Sequence, residues 1–165
     1  MNTGSISRRS LFKGELARTP AILPPGVSRS SLTRCTGCNQ CVERCPSSII
    51  QLTGGLPEIN LSGEGGECTF CRACLDACTQ AVFDGSRFHF NHVATVSDQC
   101  LARKGVACQS CGESCPEQAI GFEARIGGPF VPAVDSARCT GCAACMQVCP
   151  MDAIVMQPLK EFADG

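Results

Sequence analysis

The sequence predicts an α+β fold made of four small, similar units behind a basic N-terminal tail. The sixteen cysteines of this 165-residue chain fall into four quartets. Alternating apolar stretches, typical of short strands, precede quartets two to four, and a short segment ending in an apolar pair follows each quartet. The second cysteines of successive quartets lie 33, 37 and 34 residues apart, a period typical of a repeated supersecondary unit.

Residues 1–29 form the predicted tail, which we expect to be disordered and basic. Residues 1–34 carry six Lys or Arg and one Glu, a net of +5, which leaves −6 for the rest of a chain whose total is −1. The stretch SRRSLFKG holds Arg8 and Arg9, the arginine pair of a twin-arginine export signal. An export signal also needs an apolar segment of about 7–15 residues, whereas the longest apolar run after Lys13 in the tail has three (21–23). We therefore expect a cytoplasmic protein.

Four units follow the tail, with predicted bounds of 30–59, 60–90, 91–125 and 130–160. Strands are predicted in the stretches PEINL, FHFNHVATV and FVPAV, which precede quartets two, three and four. Pro46, Pro116 and Pro150 each follow the last cysteine of a quartet. We expect these prolines to begin short helices, because proline suits the first helical position.

Three of the quartets share the spacing C-x2-C-x2-C-x3-C. They are Cys35, Cys38, Cys41 and Cys45; Cys68, Cys71, Cys74 and Cys78; and Cys139, Cys142, Cys145 and Cys149. The third quartet in chain order keeps the last two intervals, but seven residues separate its first two cysteines. Its members are Cys100, Cys108, Cys111 and Cys115. All sixteen cysteines are thereby used.

This spacing favours iron–sulfur clusters over disulfides or zinc. A disulfide framework would need sixteen closely spaced thiols to find distant partners, in a compartment that nothing identifies as oxidising. Structural zinc usually takes two C-x2-C hooks separated by a longer loop, whereas here three thiols crowd one tight loop. The run C-x2-C-x2-C-x3-C-P is the ligand pattern of bacterial [4Fe–4S] ferredoxins. We predict tandem ferredoxin folds with three or four [4Fe–4S] clusters, and all sixteen cysteines as iron ligands, the third quartet being the least regular.

The sequence leaves the pairing of the quartets open. In two-cluster ferredoxins the fourth cysteine of a run binds the other cluster. Adjacent quartets would then exchange their last cysteines: Cys78 would join the first quartet and Cys45 the second, and quartets three and four would exchange likewise. A nested arrangement, first with fourth and second with third, is equally compatible with the spacing.

The composition argues against an enzyme and for a fold that depends on its clusters. Aromatic residues make up 5% of the chain and Trp and Tyr are absent, so the apolar core is thin and we expect the apoprotein to be largely unfolded. No phosphate loop, nucleophile triad or flavin fingerprint occurs. His89 and His92 are predicted on a strand surface, because every cluster already has four thiols. We expect no nucleic-acid partner and no membrane insertion.

The order of the motifs resembles the NapF family along essentially the whole chain. These are ferredoxin-type accessory proteins of bacterial periplasmic nitrate reductase systems. The resemblance rests on the SRR tail, the three regular quartets, and the irregular C-x7-C-x2-C-x3-C run that begins in DQCLA. It extends the iron-ligand role to all sixteen cysteines and implies a cytoplasmic protein that helps to mature the catalytic nitrate reductase subunit, by assembling that subunit's own [4Fe–4S] cluster. Thr79 departs from the pattern, since the other quartets have proline there.

Three functions are compatible with these observations. The first is the assembly factor that binds the catalytic nitrate reductase subunit, with the basic tail as a candidate contact surface. The second is a soluble polyferredoxin that carries electrons. The third is an electron-transfer subunit of an oxidoreductase complex, which the nearly minimal size of the units disfavours. The resemblance favours the first.

Overall fold

The computed structural model describes residues 21–61 and 66–159, so Arg8 and Arg9 lie outside the described residues. Within these ranges, short helices and strands mix, which confirms the α+β class. Two single turns of 3-10 helix, Ser31–Arg34 and Gly85–Arg87, accompany them. No helix among the described residues combines the length and the hydropathy that crossing a bilayer requires.

Six strands form three antiparallel pairs. The strands are β1 (Ile50–Thr53), β2 (Leu56–Ile59), β3 (His92–Val96), β4 (Ile120–Glu123), β5 (Val131–Val134) and β6 (Ile154–Pro158). Strands β1 and β2 form one hairpin and β4 and β5 another, while β3 pairs with the distant β6. The three stretches predicted as strands overlap β2, β3 and β5. Isolated two-stranded pairs are marginally stable in water, so each needs support from its surroundings.

The four α-helices lie inside the quartets, not after them as predicted. They are α1 (Gln40–Glu43), α2 (Ala73–Ala77), α3 (Ser110–Glu113) and α4 (Ala144–Gln147), and each contains the third cysteine of its quartet. The prediction that helices begin at Pro46, Pro116 and Pro150 is wrong, because the residue two places later is left-handed in every case. Ser48, Gln118 and Asp152 have φ of 51°, 49° and 47°, a conformation that a right-handed helix cannot include.

The chain folds as two similar halves, 21–90 and 91–159, and this repetition corrects the predicted extent of the tail. In the second half, β3 precedes the third quartet and pairs with β6, which follows the fourth. In the first half, Val27 precedes the first quartet and forms a bridge with Phe83, which follows the second. Residues 21–29 are thus the counterpart of β3 and not part of a disordered tail. Consecutive prolines at 24 and 25 obscured this relation in the sequence.

Residues 21–29 are packed into the first half. The side chains of Pro24 and Pro25 are fully buried and Val27 is 4% exposed. The Ile59 N–H donates to the Ile22 carbonyl at 2.7 Å, which fixes this segment to the end of β2. The apolar core of this half also includes Ile49 and Val82. Among the described residues, the connected core cluster of the second half is smaller, with four buried members: Ala94, Ile120, Cys145 and Ile154.

We expect Val27→Ala to lower the free energy of unfolding of the cluster-loaded protein by roughly 1–3 kcal/mol, because it removes buried methyl groups from the core. Val106→Ala is the matched control, since Val106 is 53% exposed and its truncation should change stability by less than about 0.5 kcal/mol. Anaerobic thermal unfolding measures both. Equal effects of the two variants would show that residues 21–29 do not contribute to the fold.

Candidate iron–sulfur centres

The sixteen cysteines line four cavities, with four cysteines around each. Site 1 has Cys35, Cys38, Cys41 and Cys78; site 2 has Cys45, Cys68, Cys71 and Cys74; site 3 has Cys100, Cys108, Cys111 and Cys149; and site 4 has Cys115, Cys139, Cys142 and Cys145. Their empty volumes, taken out to the solvent opening, are 360, 350, 360 and 310 Å³ in the same order. Four cavities of nearly equal size and identical donors accommodate four copies of one group.

The structure brings adjacent quartets together and does not bring the nested pairs together. Each site takes three cysteines from one quartet and the last cysteine of the neighbouring quartet in the same half of the molecule. The irregular quartet follows the same rule, because Cys100 lines site 3 beside Cys108 and Cys111.

The thiol geometry separates the chemical alternatives. All sixteen cysteines lie within the described residues, and all are free thiols, so no disulfide forms. Within the described ranges, no three Cys, His, Asp or Glu side chains converge closely enough to hold a single metal ion. Four thiolates on one zinc ion would be only about 3.8 Å apart, given Zn–S bonds of about 2.3 Å. The wider spread around each cavity instead suits a cube whose four irons each take one thiolate.

Burial raises the pKa of several of these thiols. Desolvation is the main cause in each case, and it raises the pKa of Cys74 and Cys145 to about 12 and that of Cys68 to about 11. It also raises the pKa of Cys41 and Cys111. Neighbouring thiols add to the shift, and for Cys68 these include Cys142 of the fourth quartet. These five thiols therefore hold their protons at neutral pH, and binding iron must release them.

Left-handed residues curve three of the cysteine loops around their cavities. The residue after the second cysteine is left-handed in quartets one, two and four. These residues are Asn39, Arg72 and Ala143, with φ of 68°, 65° and 74°, and each directly precedes a helix. The corresponding Gln109 has φ of −133°. The third loop therefore enters its helix differently, although its helix has the same length as α1 and α4.

A second left-handed position, which the sequence analysis missed, lies three residues after the last cysteine of every quartet. Its occupants are Ser48, Ala81, Gln118 and Asp152, with φ between 47° and 51°. In quartets three and four the turn directs the next backbone N–H back to the cysteine: Ala119 donates to Cys115 Sγ and Ala153 to Cys149 Sγ, both at 3.3 Å. Such hydrogen bonds tune the potential of a bound cluster. No sequence signal could reveal them, because the four residues share a position and no side-chain chemistry.

Aromatic side chains line one part of site 2. Phe70 occupies the loop position where quartets one and four have glycine, and it has φ of 53°. Its ring meets those of Phe88 and Phe90 edge to face, with centroids 6.4 and 5.6 Å apart. The Arg72 guanidinium lies 5.3 Å from the centroid of Phe88. Phe70 and Phe88 form part of the wall of site 2, while Cys71 at the same site is exposed.

The extra residues of the third quartet form a compact loop. Backbone hydrogen bonds at 2.9–3.2 Å close turns between Cys100 and Val106. Arg125, two residues after the end of β4, anchors these turns, since its guanidinium donates to the Ala102 carbonyl at 3.0 Å and to the Arg103 carbonyl at 3.1 Å. These turns thus bring Cys100 back to the cavity that Cys108 and Cys111 also line.

The two histidines differ, and the prediction of a surface role is wrong for one of them. His89 is exposed. His92 is 5% exposed, and its Nε2 lies 3.0 Å from the Gly141 carbonyl, to which it donates in the Nε2–H tautomer. Burial lowers the pKa of His92, so the ring is neutral at neutral pH. The contacts with Gly141, 49 residues away in the chain, and with the ring of Phe90 cover this side chain, and local sequence does not reveal the first of them.

Comparisons with known proteins agree with these four sites. A family described as a 4Fe-4S dicluster domain matches residues 34–83, and another of the same description matches residues 104–153. The chain is 35% identical over 158 residues to the ferredoxin-type protein NapF of Escherichia coli strain K12, a match that covers 93% of this chain and 95% of that protein. It is 38% identical to the ferredoxin-type protein NapF of Haemophilus influenzae, covering 98% and 99%.

A third relative has a different role in its name. The methylamine utilization ferredoxin-type protein MauM of Methylobacillus flagellatus is 29% identical, over 94% of this chain and 76% of that protein. The two dicluster matches and the sixteen cysteines establish that the chain binds several [4Fe–4S] clusters. When bound, these clusters supply one-electron redox chemistry. Cys100 lies outside the second matched stretch, so its place at site 3 rests on the structure.

We expect complete removal of iron to unfold most of the chain. The strand pairs are marginal by themselves, and the connected core cluster of the second half has four buried members among the described residues. Anaerobic chelation followed by far-ultraviolet circular dichroism measures the loss, and reconstitution with iron and sulfide should restore the spectrum. A native spectrum in protein proved free of iron would contradict this expectation.

Proposed function

The chain belongs to the NapF family of ferredoxin-type proteins, and from this premise we propose that it is a cytoplasmic accessory protein that assists cluster assembly in a partner. The partner is the catalytic subunit of periplasmic nitrate reductase, whose own [4Fe–4S] cluster this chain helps to assemble before export. Its role is accessory and not enzymatic. The family supplies the identity of the partner, and the accessibility of the sites supports a role in donation.

The proposal assigns all sixteen cysteines as iron ligands, four at each of sites 1 to 4. The convergence of four thiols on each cavity supports this assignment. The assignment includes Cys100, the cysteine with the irregular spacing. The backbone donors at Cys115 and Cys149 add to it, since N–H groups directed at sulfur favour the thiolate over the thiol.

The single observation that carries the assembly role is the unequal exposure of the sites. Cys38 at site 1 and Cys71 at site 2 are exposed, whereas none of the cysteines at sites 3 and 4 is. A thiolate of the partner can replace a cysteine ligand only where solvent, and so the partner, can reach that cysteine. Sites 1 and 2 are therefore the donating sites of this proposal, and sites 3 and 4 keep their clusters.

A second candidate function is that of a soluble electron carrier. The half-buried ligands of sites 3 and 4 favour it, because a carrier must retain its clusters while they cycle. The third possibility, an electron-transfer subunit of a larger oxidoreductase, has no observation in its favour beyond the clusters themselves.

We expect Cys100→Ser to remove one cluster, so that iron falls from about sixteen to about twelve atoms per chain. Gln99→Ser is the control at the adjacent exposed position and should keep the full complement. Iron and acid-labile sulfide are measured on anaerobically purified protein. Unchanged iron in Cys100→Ser would remove this residue from the ligand set.

We expect protein loaded with radioactive iron to pass label to the apo catalytic subunit of periplasmic nitrate reductase, and nitrate reduction to rise with it. Because Cys38 is exposed and Cys108 is not, Cys38→Ser should reduce the transferred label more than Cys108→Ser does. Rapid separation of the two proteins followed by counting measures the transfer. Label that stays on this chain, with no gain in nitrate reduction, would refute donation and favour the electron carrier.

A further inference from the structure

The two halves of the molecule meet where the loops of quartets two and four touch. The backbone N–H of Cys68 donates to the carbonyl of Cys142 at 2.9 Å. Beside this contact, Gln147 Nε2 donates to the carbonyl of Gly66 at 3.2 Å and to that of Leu61 at 3.4 Å. Leu61 and Gly66, which precede quartet two, are thereby joined to the last residue of α4.

Apolar packing continues the same contact. Ala143 stands directly after Cys142, is 1% exposed, and belongs to the apolar core of the first half. Met146 of α4 packs against that core as well. The fourth loop is therefore seated in the first half by burial in addition to hydrogen bonds, and water is excluded around it.

His92 holds the fourth loop in this position. Its ring donates to the Gly141 carbonyl at 3.0 Å and lies 4.6 Å from the ring of Phe90. Gly141 has φ of +76°, and a Cβ there would lie 2.6 Å from the His92 carbonyl oxygen. Only glycine allows this approach, because a methyl group would push the loop away from β3.

We propose that Cys68 and Cys142 form the junction that couples the two halves, so that sites 2 and 4 are neighbours and the sites stand in the order 1, 2, 4, 3. The connection between the two sulfur atoms runs through these two cysteines and one hydrogen bond. Among the described residues, no hydrogen bond joins a cysteine of site 1 or site 3 to the opposite half. This inference rests on the ligand assignment of the proposed function and adds which centres face each other between halves.

Proteins reduced to two centres test the order directly. Cys108→Ser with Cys38→Ser leaves sites 2 and 4, and Cys108→Ser with Cys71→Ser leaves sites 1 and 4. Cys38 and Cys71 are matched, as each is the exposed second cysteine of its quartet. Electron paramagnetic resonance of the dithionite-reduced proteins detects magnetic coupling between neighbouring centres as splitting or broadening. We expect coupling in the protein with sites 2 and 4 and its loss in the protein with sites 1 and 4.

The iron content separates this inference from the ligand assignment. Both double variants should retain about eight iron atoms per chain; another value in a folded protein would refute the assignment. The expected iron with equal spectra, or with coupling only between sites 1 and 4, would overturn the junction.

Gly141→Ala tests the junction in the protein with all its ligands, should a double variant not fold. We expect weaker coupling, because the added methyl group meets the His92 carbonyl. Gly127→Ala is the matched control: Gly127 has φ of +73° and open space where a Cβ would lie. Full iron with unchanged coupling in Gly141→Ala would overturn the proposal.

Discussion

Sixteen thiols around four cavities are the constraint on which the rest of this structure depends. Burial raises the pKa of Cys74 and Cys145 to about 12, so these thiols stay protonated until iron takes the place of the proton. Around them stand only two-stranded sheets and helices of four or five residues, elements too short to be stable alone. Metal–sulfur bonds thus supply the cross-links that the thin apolar core cannot.

The duplication of one half explains both the fold of the segment around Val27 and that of the irregular third loop. The segment around Val27 matches β3, because each half needs a strand ahead of its first quartet to pair with the segment after its second. The irregular third loop still places its first cysteine at a site, because Arg125 holds its turns by hydrogen bonds and Cys100 lines site 3. What repeats is therefore the position of the cysteines around each cavity and the left-handed residue after each quartet, whereas the length of the cysteine loop varies.

The two halves have similar folds but differ in the exposure of their cysteines. Exposed cysteines occur at sites 1 and 2, while the second half has none. The contact between Cys68 and Cys142 sets site 2 against site 4. Two centres with an exposed cysteine in one half and two without one in the other support the proposal that the molecule both offers and retains clusters.

The cysteine spacing by itself determined the cluster type and predicts sixteen cysteine ligands, because ligand geometry is local to each loop. Three of the strands could be predicted for the same reason, because the alternation of apolar and polar residues is a local pattern. Only the tertiary structure decided between adjacent and nested quartets, brought residues 21–29 into the first half, and buried His92 against Gly141. Those outcomes depend on contacts between residues far apart in the chain, such as Cys68 and Cys142, and no local pattern encodes which distant surfaces will meet.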